Sequence, residues 1–257
     1  MTSADKTQSS PARDDVPASL RTAPMILMYH AVMDTADDPN LLCVPPDVFA
    51  AQMSYLDKHG LRGVSIGMLV DAMRAGCQRG MVGITFDDGY VNVLEAALPV
   101  LNRHGFGATA FIIADRLGGT NEWDAGPAWP LLSGDGVREL AAGGIEIGSH
   151  SATHPRLAEV SPQQLTAEVG ASRATLAALI GTEIRGFAYP YGSMNAAARA
   201  AVRQAGYEYA CAVETSVTDI SIMALPRVYV GRQDTPARMA TKRLLYRAHI
   251  AVKGRHG

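Results

Sequence analysis

Short apolar runs recur along this chain, and most are followed by a stretch with the spacing of a helix. Runs at Met25–Tyr29, Val64–Ile66, Met81–Phe86, Ala108–Ile113, Ile145–Gly148, Ile184–Tyr189, Tyr207–Val213 and Ala224–Val230 read as strands. Helical patterns lie between them at Asp47–His59, Val91–His104, Val137–Ala142, Pro162–Ile180 and Asn195–Ala205, with glycine closing them at Gly60, Gly105, Gly143, Gly181 and Gly206. That alternation dictates a parallel sheet with right-handed crossovers. Roughly seven or eight such units are enough to curl the sheet into a barrel. A chain of 257 residues with 47% apolar and 19% charged side chains can build the core of one α/β domain of that kind. No internal repeat or second boundary interrupts it. The expected organisation is a disordered polar tail over 1–24, a barrel over 25–232, and a basic helix and tail over 233–257.

Such a barrel collects its chemistry at the carboxyl ends of its strands, and the titratable motifs fall there. GITFDDGYV (Gly83–Val91) ends a strand in two adjacent acids, Asp87 and Asp88, followed by Gly89. Within a strand the two would face opposite ways; at a strand end, with a glycine to release the backbone, both can turn into one cleft. Two carboxylates there repel unless a proton or a cation intervenes. GSHSATH places His150 and His154 directly after the run Ile145–Ile147. Two histidines four apart stack on one helical turn. With one aspartate they make two nitrogens and one oxygen, which leaves a position for water, as in a catalytic zinc-type site. Taken singly, each motif has a plainer reading: an acid pair that caps the next helix, or two loop histidines. Their joint placement favours the metal site.

A third segment, RGFAYPYG (Arg185–Gly192), is another apolar strand, broken by Pro190 and Gly192. TFDDGY, HSxTH and FAYPYG in that order resemble the polysaccharide deacetylase family, the NodB-homology or carbohydrate esterase family 4 domain. The resemblance runs from about Met25 to Val230; NEWD (Asn121–Asp124) and the run VRELAAGGIEIGSH agree with it. It implies a distorted (β/α)7 barrel and a metal-dependent hydrolase that removes N-acetyl groups from amino sugars. It implies that Asp88, His150 and His154 hold the metal, that Asp87 is the general base, and that the backbone N–H of Tyr191 stabilises the oxyanion. Such ligands suit zinc, and also cobalt, nickel or iron.

Two departures from the family pattern matter. The arginine that tethers the catalytic aspartate in many members aligns with Ala188 here. Arg185 lies three residues too early, and Arg227, in LPRV at the last strand end, is the candidate tether. The late Leu-x-His motif, source of the general acid, is missing from LPRVYV. MILMYHAV instead places His30 at the end of the first strand, which neighbours the last strand in a closed barrel. His30 is therefore the candidate general acid, an arrangement that resembles the poly-N-acetylglucosamine deacetylases.

The irregular stretch Gly118–Gly136 carries both tryptophans, Trp123 and Trp129, and is a candidate sugar-stacking wall. A net charge of −2 gives no pull toward nucleic acid. Cys43, Cys77 and Cys211 are odd in number and scattered, which reads as three buried small residues in a reducing compartment. Residues 1–24 lack the apolar core of a secretory signal, and no run is long enough to span a bilayer, so a cytoplasmic location is expected. The C-terminal stretch is basic and interspersed with apolar residues, which allows peripheral membrane contact. The expected substrate is an N-acetylated polysaccharide, oligosaccharide or lipid-linked sugar. The alternatives are a deformylase, an O-acetyl esterase or a cyclic-amide hydrolase on the same scaffold, or a non-catalytic glycan-binding barrel.

Overall fold

The apolar runs pair as parallel strands. β1 (Ile26–Tyr29), β2 (Arg62–Val64), β3 (Met81–Phe86), β4 (Thr109–Ile112), β5 (Glu146–Ser149), β6 (Gly186–Ala188), β7 (Tyr209–Cys211) and β8 (Val228–Tyr229) form one sheet in the order β7-β6-β5-β4-β3-β1-β8, with β2 also on β3. The computed structural model describes residues 24–213 and 221–253; the tail expected over 1–24 lies almost wholly outside them. The sheet curls into the distorted (β/α)7 barrel of one α/β domain. One segment links its two edges. Ala212 N–H donates to Leu225 O and Arg227 N–H to Val213 O on the β7 side, and from the next residue β8 pairs with β1 in the register Leu27↔Val228 and Met28↔Tyr229.

Among the described residues, seven α-helices cover the sheet and one of its ends: α1 (Pro46–Lys58), α2 (Ile66–Arg74), α3 (Leu98–His104), α4 (Gly134–Ala142), α5 (Pro162–Ile180), α6 (Ala196–Gln204) and α7 (Pro236–Lys253). Alternation along the strands separates two cores. Leu27, Tyr29, Val82, Ile84, Phe86, Ala110, Ile112 and Phe187 join the outer core under the helices. Ile26, Phe111, Ala188, Tyr209, Cys211 and Leu225 form the inner core with Ile66, Leu69, Val70 and Met73 of α2, which plugs the amino end of the barrel. The interior is narrow: a Cβ on Gly148 would stand 2.5 Å from the Phe111 ring, and one on Gly186 would collide with the Tyr209 ring.

The elements differ from the sequence reading in three places. The run at Val64–Ile66 ends as a strand at Val64, and α2 begins at once, because the Ser65 hydroxyl accepts the Met68 N–H as a cap. The helix expected over Val91–His104 passes through a π-helical stretch, Val93–Ala97, before α3. Pro99 in the first turn of α3 has no N–H to donate to the preceding turn, which shifts the ladder. The third difference is Cys77, which is exposed, whereas Cys43 and Cys211 are buried as expected; all three are free thiols.

Candidate active site

Strand parity selects the inward set. Ile26 and Met28 on β1 share their face with His30; Gly83 and Thr85 on β3 share theirs with Asp87; Glu146 and Gly148 on β5 share theirs with His150. His30, Asp87 and His150 each lie just past the carboxyl end of their strand. Asp88 would face away if the strand continued, but its backbone turns left-handed (φ 72°), and Gly89 follows at φ 82°. The adjacent acids therefore enter one cleft.

His150 and His154 come together by another route than the helical turn expected from their spacing. Ser151 and His154 both have positive φ (66° and 71°), so the segment is a tight loop. Several anchors hold it. The N–H groups of Ala152 and Thr153 and the Thr153 hydroxyl donate to the Glu168 carboxylate of α5 at 2.9, 2.9 and 2.6 Å. His154 N–H donates to Ser151 Oγ at 3.0 Å. His150 N–H and Ala114 N–H tie the loop to the end of β4 through Ile112 O and Ser151 O.

Asp88, His150 and His154 are buried, and their ligand atoms lie within 4.8 Å of one another. Asp88 Oδ1 is 3.5 Å from His150 Nε2 and 3.4 Å from His154 Nε2. A tetrahedral ion with bonds of about 2.1 Å places its ligands about 3.4 Å apart, so the residues fit a divalent cation. The electrostatics agree. Burial, then the Asp87 and Asp124 charges, push the Asp88 carboxyl well above its ordinary range, and a cation would offset that. Burial holds both imidazoles neutral, lowering His154 to about 2, and a metal requires that form. His150 Nδ1 is 2.8 Å from Ala188 O, which fixes Nε2 as the free ligand atom.

Asp87 is held separately. Arg227 sits on it bidentately, at 2.6 and 2.7 Å, and also donates to Thr85 Oγ1 and Ala212 O. Both partners are buried. Burial opposes the charge on Asp87, but Arg227 outweighs it and holds the carboxyl far below its usual range. Arg227 reaches Asp87 from the closing segment. Arg185 lies at the opposite end of β6, paired with Asp71 and Glu208.

His30 is half-buried, and its Nδ1 is enclosed without a hydrogen-bond partner. Burial lowers its pKa to about 4, with Asp87 the largest charge opposing that shift. The imidazole is neutral at pH 7. Tyr191, in the Pro190–Gly192 turn, has φ 56°, which costs a residue with a side chain about 1–2 kcal/mol. Within that turn the hydrogen bonds use the N–H groups of Gly192 and Ser193. The Tyr191 ring lies 4.6 Å from that of His154.

The long loop contributes unevenly. Trp123 stacks on His154 with ring centroids 4.8 Å apart. Trp129 is buried against Tyr90 and serves packing instead. Three residues to which the sequence reading gave no role touch the site: Glu168 behind the histidine loop, Asp124, which accepts a hydrogen bond from the Tyr191 hydroxyl at 3.1 Å, and Arg156, 4.3 Å from the Tyr191 ring centroid. NEWD marked the place of Asp124 but not its partner.

Comparison with known proteins points to one family. The profile of the family described as polysaccharide deacetylase matches residues 75–210. YxkH of Bacillus subtilis, itself a candidate polysaccharide deacetylase, is 29% identical over 211 residues, 80% of this chain and 71% of that protein. The poly-beta-1,6-N-acetyl-D-glucosamine N-deacetylase of Staphylococcus aureus is 23% identical over 230 residues, 79% of this chain and 77% of that enzyme. The structure of the Streptococcus pyogenes deacetylase PplD in complex with acetate superimposes with a TM-score of 0.74 at 23% identity, covering 85% of this chain and 96% of that one. At that identity the likeness speaks for the fold.

Proposed function

The chain belongs to the polysaccharide deacetylase family, and from that premise we propose that it is a metal-dependent hydrolase that removes the N-acetyl group from an N-acetylated amino sugar. The observation that carries the proposal is the buried Asp88–His150–His154 group beside an Asp87 held ionised by Arg227. Those three residues would hold a divalent cation, zinc by the donor set, which would supply Lewis acidity toward a carbonyl and a water.

The residues divide the remaining work. Asp87, ionised and aimed by Arg227, takes the proton of the attacking water. The backbone N–H of Tyr191 donates to the oxyanion as it forms. His30, neutral at rest, receives the proton that Asp87 has taken and delivers it to the departing amine. That sequence balances the proton without requiring His30 to start charged. An N-acetylated glycan, polymeric or lipid-linked, is the proposed substrate, since the S. aureus relative acts on poly-beta-1,6-N-acetyl-D-glucosamine.

The proposal includes a cytoplasmic location, which cell fractionation checks. Peripheral membrane contact through α7 is a minor part of it, supported by Leu244 and Leu245, which are exposed there; no helix among the described residues is long and apolar enough to cross a membrane. Liposome flotation against a chain truncated after Thr235 tests that contact, and equal binding removes it. The activity is tested by acetate release from N-acetylglucosamine oligomers, with and without chelator. Chelator-sensitive release restored by zinc supports the proposal. Release of formate, or release of acetate from O-acetyl esters alone, would move the activity to another hydrolase on this scaffold.

A further inference from the structure

Tyr191 holds a left-handed backbone (φ 56°) that glycine would adopt without strain. Such a conformation persists in a bulky residue only where the surroundings over-determine it. Here the surroundings act through the side chain. The phenol donates to Asp124 Oδ1 at 3.1 Å, the Arg156 guanidinium carbon lies 4.3 Å from the ring centroid, and the His154 ring packs against it at 4.6 Å and 60°. Asp124 comes from the long loop after β4, and His154 and Arg156 from the histidine loop and its continuation, so two separate segments meet on one ring. The long loop has its own anchors: Trp123 lies on His154, and Asn40 Nδ2 donates to Ala125 O.

We infer that Asp124 and Arg156 are positioning residues for the hydrolytic step, clamping the Tyr191 phenol so that its backbone stays left-handed and its N–H faces the forming oxyanion. The inference rests on the deacetylase reading of the cleft and extends it from the backbone of Tyr191 to its side chain and to two residues outside the three motifs. The phenol is a lever: an N–H that must be aimed is fixed through a ring that can be gripped. A tyrosine with no such task could be replaced by glycine at no loss.

The test uses the full zinc-loaded chain, acetate release from an N-acetylglucosamine oligomer, and zinc content. Asp124→Ala and Tyr191→Phe each remove the same hydrogen bond. Each is expected to lower kcat about 10- to 100-fold, less than complete loss of an oxyanion donor, with KM little changed and one zinc per chain retained. The double variant should be no worse than the worse single, since both act on one contact. Asp124→Asn keeps an oxygen that accepts the phenol hydrogen and should recover most of kcat with an unshifted pH profile. Wild-type kcat in Asp124→Ala, additive losses, or an Asn variant as poor as Ala would overturn the clamp. A crystal structure of Asp124→Ala decides the matter even if the wild type releases no acetate: an unmoved Tyr191 ring and backbone contradicts the inference, and a displaced ring supports it while the deacetylase reading alone falls.

Discussion

At the scale of single residues, two neighbouring aspartates have opposite fates. Asp87 is matched by a buried bidentate guanidinium, whereas Asp88 meets no comparable cation among the described residues and faces two imidazoles. The account therefore expects Asp87→Asn to keep its zinc and lose nearly all acetate release, and His30→Ala to keep its zinc and lose a large part; elemental analysis beside an activity assay checks both. Arg227→Met leaves a buried carboxylate without its partner, which costs about 3–5 kcal/mol, readable by urea denaturation. The sign of the pH effect follows from Asp87. Its folded pKa is depressed, so the stability from the pair is present above the unfolded value of roughly 3.9 and is lost as pH falls toward the folded value. Without Arg227 the Asp87 pKa rises, and the acid limb of the kcat/KM profile should move to higher pH. An unmoved limb would show that Asp87 is not the base.

At the scale of elements, the site is a set of strand ends completed by loops, and the two parts differed in how well the sequence announced them. The strand ends that carry His30, Asp87 and His150 were legible in the sequence; their shared inner face follows from parity once the strands are in place, because runs buried on both faces do not alternate. The approach of His154 was not legible, because it depends on left-handed backbone at Ser151 and His154, which neither residue type signals. The spacing suggested a helix; a loop held by Glu168 gave the same convergence. Helix α2 did carry a signal, the spacing Ile66, Leu69, Val70, Met73 behind the Ser65 cap, which was obscured by reading Val64–Ile66 as one strand. Glu168 yields the prediction at this scale. Glu168→Ala removes three hydrogen bonds from behind the histidine loop and should weaken zinc binding about 10- to 100-fold, measured by competition with a chromophoric chelator, without unfolding the barrel. Unchanged affinity would mean that the loop keeps its shape unaided.

At the scale of the whole molecule, the closing segment joins architecture to chemistry. Leu225–Arg227 borders β7, Val228–Tyr229 borders β1, and the arginine between them reaches across the interior to Asp87. Its position in LPRV marks Arg227 as the candidate tether, but its reach to Asp87 emerges only when the closing segment has paired with both edges of the sheet. A cation that binds the folded barrel alone also stabilises it as a unit, by about 2.7 kcal/mol at a hundredfold excess over Kd. For a chain of this size that is a rise in Tm of about 5 to 10 °C. Thermal denaturation with added zinc should show such a rise in the wild type and none in His154→Ala; equal shifts in both would place the binding elsewhere. The central claim remains that one aspartyl oxygen and two imidazole nitrogens share a single cation. Anomalous diffraction at the zinc edge, from crystals grown with zinc, tests it most directly: the account predicts one strong peak bonded to Asp88, His150 and His154, and a peak bonded to other residues, or density among these three that stays empty at saturating zinc, would contradict it.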